Sequence, residues 1–65
     1  MNIQEITKRL NFIEQIKFDY EAAHAEEQQL YSDVMEYIAN GGENGQKLIK
    51  EALKAKEIEF PRYTA

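Results

Sequence analysis

From Asn2 to Ala39 the chain contains neither glycine nor proline, and most of its residues are good helix formers. Nothing local obliges the backbone to leave a helix over that stretch, which would run on the order of 55 Å at the usual rise per residue. Punctuation then arrives all at once, in Asn40-Gly41-Gly42-Glu43-Asn44-Gly45. Gly41 can end a helix with positive φ, and Asn44 can cap the next one. From Gln46 to Lys56 the apolar residues Leu48, Ile49, Ala52 and Leu53 recur at the spacing of a second amphipathic helix. Beyond it Glu57 to Phe60 alternates, and Pro61 pushes Phe60 toward an extended conformation, so Ile58, Phe60 or Tyr63 should pack somewhere apolar. These signals predict a single domain over 1–65, with a helix over about 2–39, a turn at 40–45, a helix over about 46–57 and an extended tail at 58–65.

The long segment carries a heptad pattern. With Ile3 at position a, the a positions hold Ile3, Leu10, Lys17, His24, Tyr31 and Ile38, and the d positions hold Ile6, Ile13, Tyr20, Glu27 and Val34. Ile16, Ala23, Leu30 and Tyr37 at g widen the stripe to the face of a bundle helix. Lys17, His24 and Glu27, the polar exceptions, fall at the centre, where buried polar groups commonly fix register. Two copies packed antiparallel would pair Ile6 with Ile38, Leu10 with Val34, Ile13 with Tyr31, Lys17 with Glu27 and Tyr20 with His24. The expectation is therefore an all-α helical hairpin that homodimerises into a four-helix bundle, with those ten residues as its dimer core. The alternative is a monomeric three-helix bundle with a break near residues 17–19, where Asp19 could serve as an N-cap.

Self-association is attractive on size alone, because a 65-residue chain buries a small fraction of its surface. The absence of cysteine removes disulfides and thiolate zinc sites as supplementary supports. No apolar run is long enough to cross a bilayer, and MNIQEITKRL lacks the basic segment and apolar block of a signal peptide. A cytoplasmic protein without membrane contact is expected. Net charge is -4, which argues against non-specific nucleic-acid binding. That charge is concentrated: Asp19, Glu21, Glu26, Glu27, Asp33, Glu36 and Glu43 occupy residues 19–46 without a single lysine or arginine.

Two readings attach to this acidic middle. Glu21-Ala22-Ala23-His24 is a Glu-x-x-His, the spacing that puts both ligands on one helix face in di-iron carboxylate bundles. The likeness is four residues long, and a metal held by Glu21 and His24 would need further carboxylates, with Glu14 or Glu51 as candidates. The competing assignment has His24 held by Tyr20 or Glu27, with no metal and no cofactor. Asp19, Glu26 and Asp33 lie in line at heptad spacing and could face a basic protein partner, or could simply be the solvated side of a helix. Phe60, Arg62 and Tyr63 form a candidate docking tail, although a segment closing the end of the bundle is the commoner use. Enzymatic chemistry has little to build on, since no hydroxyl nucleophile has the histidine at a helical neighbour spacing and "NGGENG" lacks the residues of a phosphate loop. The function expected from sequence is that of a small, acidic, non-enzymatic accessory or regulatory protein that binds other proteins, of the size common among phage and bacterial accessory genes.

Overall fold

The computed structural model describes residues 1–62 and is all-helical over them. Helix α1 spans Ile3–Gln15, α2 spans Tyr20–Ala39 and α3 spans Gly45–Ala52, which continues as a 3-10 segment over Leu53–Glu57. The three α-helices pack against one another, and the longest dimension of the Cα trace is 34 Å. A single straight rod over 2–39 would not fit within that length.

The expected helix over 2–39 is therefore corrected: the chain breaks at residues 16–19, and the architecture is the three-helix alternative. Each side of the break is chemically closed. The Ile16 N–H donates to the carbonyls of Phe12 and Ile13 to finish α1, and the Asp19 carboxylate accepts from the Ala22 N–H at 3.2 Å to begin α2. Among the described residues only Gly41 and Asn44 have positive φ, so the elbow uses no conformation that requires glycine. That explains why its position carries no Gly or Pro signal. The reason to bend is coverage. Ile6, Leu10 and Ile13 form a stripe along α1, and folding back places all three in one core with Ala23, Leu30, Val34, Leu48, Ala52, Ala55 and Phe60.

The other boundaries follow local chemistry closely. Asn2 caps α1, its side-chain oxygen accepting from the Glu5 N–H at 2.8 Å, and Glu5 adds negative charge in the first turn. At the end of α2 the Gly42 N–H donates to Tyr37 and the Gly41 N–H to Ile38, with Gly41 at φ +87°. This is a Schellman ending, which satisfies carbonyls the helix would otherwise leave unpaired. Asn44 stands at the N-cap of α3 in the left-handed region, with no capping bond from its side chain. Helix α3 tightens into the 3-10 segment after Ala52, and Ile58 then turns extended (φ -77°, ψ 119°). Phe60 is 9% exposed, so the tail closes the core as one of its members.

Gly41→Ala is expected to cost about 1 kcal/mol, because an L-side chain is strained at that φ while no neighbouring atom obstructs a Cβ there. Chemical denaturation checks it, and a neutral effect would contradict the left-handed C-terminal cap.

Candidate functional site

Two features stand out on this scaffold: a buried carboxylate held by the tail, and an open apolar groove between α2 and α3. Glu27 lies on the inward side of α2 with its side chain 3% exposed, the only buried charged residue among those described. Its oxygens accept from Nε and Nη2 of Arg62, both at 3.0 Å, and from the Tyr31 hydroxyl at 3.2 Å. The guanidinium is shared further. Nη2 also donates to the carbonyls of Ala55 and Ile58 at 2.9 Å, and the group lies 3.9 Å from the centroid of the Phe60 ring. A planar fork with five N–H donors suits this task, since it can engage a carboxylate and two carbonyls at once. Among the described residues no buried side-chain nitrogen or oxygen lacks a partner.

The electrostatics agree with this geometry. The bonds to Glu27 hold the Arg62 guanidinium more firmly protonated than usual, against the opposing effect of desolvation. Burial, reinforced by the negative charge of Glu27 and the bond to it, pushes the Tyr31 hydroxyl up to about 12. Further along α2 the Asp33 carboxyl is held below the usual range by hydrogen bonds from Gln29 and Arg9, each at 2.8 Å.

The residues singled out by sequence disperse among these roles. Ile6, Leu10, Ile13 and Val34 serve the core of a single chain, while Tyr31 and Ile38 are half-buried beside it. Lys17 does not meet Glu27. From the elbow it pairs with Glu14 of α1 at 2.6 Å, is partly exposed, and leaves the buried acid to Arg62. Tyr20 is 40% exposed and His24 is half-buried, so the polar centre of the proposed seam is not an inward-facing set. Of the acidic row, Asp19 caps α2 and Asp33 is bound to Arg9, leaving Glu26, half-buried, without an ion pair among the described residues. Of the candidate docking tail, Phe60 is buried in the core and Arg62 is bonded to Glu27; Tyr63 lies outside the described residues. Glu14 and Glu51, considered as further metal ligands, are paired with Lys17 and Lys54, and no three His, Asp or Glu side chains gather as a metal site among the described residues.

What sequence reading missed is the destination of Glu27. A lone acid at a core position signals that a base must reach it, yet 35 residues separate Glu27 from Arg62 and no periodicity links them. Also missed was the groove. It measures about 320 Å3 and is walled by Tyr31, Val34 and Met35 of α2 and by Ile49, Ala52 and Leu53 opposite, with Gln28 at its rim. Met35 is 61% exposed, Leu53 45% and Ile49 37%. A second hollow of about 480 Å3, between the start of α1 and the start of α3, is lined by Met1, Asn2, Ile3, Gln4, Asn44, Lys47 and Leu48. No known protein family matches the chain, and neither a curated protein nor a solved structure shows significant similarity to it. No helix among the described residues is long and apolar enough to cross a membrane.

Arg62→Ala should destabilise the fold by about 2–3 kcal/mol, below the range for a fully buried pair because the arginine side chain is 31% exposed. Replacing both partners, as Glu27→Leu with Arg62→Leu, should cost less than Arg62→Ala alone, since no buried charge is then stranded. Equal or additive losses in denaturant melts would contradict a coupled pair. Tyr31 gives a signature in pH. Its folded value of about 12 lies above the ordinary tyrosine value of 10.0, so its contribution is complete below pH 10 and is lost as pH climbs toward 12. Stability measured across that alkaline window should fall more steeply for the native protein than for Tyr31→Phe; parallel curves would remove the interaction with Glu27.

Proposed function

We propose that this chain is a small non-enzymatic accessory or regulatory protein that binds another protein through the groove between α2 and α3. The observation that carries the proposal is the grouping of Met35, Ile49 and Leu53, all more than a third exposed, around a concavity whose floor is the core residues Val34 and Ala52. Exposed apolar residues scattered singly need no explanation, but apolar residues gathered around a concave surface are what a partner helix or strand requires. Methionine at the centre of the rim suits such a role, because its unbranched, polarisable side chain repacks easily against different surfaces.

Charge narrows the partner's chemistry. The net charge of -4 and the carboxylates Glu21, Glu26, Glu36 and Glu43, none of which has an ion pair among the described residues, favour a segment with apolar anchors and basic flanks. The acidic row read from sequence contributes less to this than expected, since Asp19 and Asp33 are already engaged in holding the fold together.

A photo-crosslinking residue at position 35, compared with one at exposed Gln4, tests the assignment in cells of the native source. The expected outcome is a protein captured from position 35 and not from position 4. The purified pair should then bind with affinity at least about tenfold weaker in Met35→Asp or Leu53→Asp, and unchanged in Glu14→Gln. Binding should also weaken as salt rises. Equal capture from both positions, or affinity indifferent to residues 35 and 53, would overturn the reading; salt-independent binding would overturn its basic-flank component alone.

A further inference from the structure

We infer that this chain has a second assembly mode, an exchanged dimer in which the elbow at 16–19 straightens and α1 of each copy packs on α2 and α3 of the other. The partner is a second copy of this chain, and the contact surface is the α1-covering face already present in the monomer. This mode does not depend on the α2/α3 groove, which lies within one chain and survives the exchange.

Three observations support it. The first is the elbow itself: Ile16, Lys17, Phe18 and Asp19 include no glycine or proline, and no described residue there has positive φ. The break is thus maintained by tertiary packing rather than by a local stop, with only the Asp19 cap and the closing turn of α1 favouring it. The second is register. Arg9 of α1 reaches Asp33 of α2 at 2.8 Å. Two straight rods crossing antiparallel about a two-fold axis near Glu21 would bring residue 9 of one copy opposite residue 33 of the other. The same ion pair then forms twice between chains, beside the same apolar stripe of Ile6, Leu10 and Ile13.

The third observation concerns Phe18, which is 89% exposed in the elbow, more than any other large apolar residue described. If α1 and α2 were continuous, helical spacing would place Phe18 at the head of the row Ala22, Glu26, Gln29 and Asp33. That row is the flank of α2 turned toward α1: Asp33 receives Arg9 there, and Ala22 and Glu26 are half-buried. Straightening therefore carries an exposed phenylalanine onto the flank that meets the partner rod, where the same register sets it opposite His24 of the other copy. The contacts of α1 with α2 and α3 are kept, now between chains, while those of α2 with α3 stay within one chain, so concentration and the conformation of four residues decide the balance.

The test uses the full chain refolded at about 1 mM and its mass measured in solution before and after dilution. A dimer that is retained on dilution long enough to be isolated is expected. Because the protein lacks cysteine, the double variant Thr7→Cys with Glu51→Cys reports connectivity: these side chains approach at 3.4 Å between α1 and α3. A short thiol crosslinker should join two chains in the dimer fraction and one chain to itself in the monomer fraction. Asp19→Ala, which removes a cap present only in the bent form, should raise the dimerisation constant about tenfold or more, since two caps are relinquished per dimer. Phe18→Gly should act oppositely, lowering the dimer while the monomer keeps its helical circular dichroism. A native chain that stays monomeric after refolding at that concentration, or a dimer whose 7–51 crosslinks remain within one chain, would overturn the inference.

Discussion

The interaction on which the rest of this fold leans is the one between a carboxylate with nowhere to go and the arginine that comes to it. Glu27 occupies an inward position of α2, where an unpaired charge would be far too costly to remain buried. Arg62 resolves that cost, and in doing so it fixes the end of the chain. The same guanidinium that meets the carboxylate also satisfies the carbonyls of Ala55 and Ile58 as the 3-10 segment ends, and it covers the ring of Phe60. One side chain thus ties the tail, the 3-10 segment that follows α3 and the middle of α2 into a single unit. A chain of this length has a thin margin of stability, so a charged clasp that organises three segments matters more than it would in a larger domain.

The second constraint is geometric. An amphipathic stripe running the length of two helices needs a cover, and a single chain can supply it only by bending. With α1 folded back, the stripe of Ile6, Leu10 and Ile13 meets Leu30, Val34 and Leu48, and the molecule has one core instead of an exposed seam. The surface left over is informative for the same reason. Met35, Ile49 and Leu53 line the groove between α2 and α3 with its 3-10 continuation, and each is more than a third exposed. The binding role proposed for that groove rests on its being what the described elements leave open.

Much of this was legible in the sequence, for identifiable reasons. Asn40-Gly41-Gly42 ends a helix through a backbone conformation that glycine favours, so the signal is local and the Schellman ending appears where it should. The stripe residues of α1 and the tail's Phe60 are inside because they are apolar at the right spacing. The elbow is different. Ile16 to Asp19 accept either a helix or a bend, and local propensity cannot say whether a stripe is covered by its own chain or by another; only Asp19, a good cap, hinted at the break. The candidate site was legible in half. Glu27 stood out as an acid demanding a base, but Lys17 was the nearest helical choice, and the true partner lies in the tail, joined to it only through the fold.

The most direct measurement of this account is the exchange and order of the Arg62 side-chain Nε–H, observed by nuclear magnetic resonance near neutral pH in a dilute monomeric sample. A guanidinium clamped between a buried carboxylate and two carbonyls should show a discrete Nε–H signal, protected from solvent exchange, with cross-peaks to Glu27 and Tyr31. An Nε–H that exchanges at the rate of a free arginine, with no contact to α2, would show that Glu27 is accommodated in some other way and that the tail does not close the core.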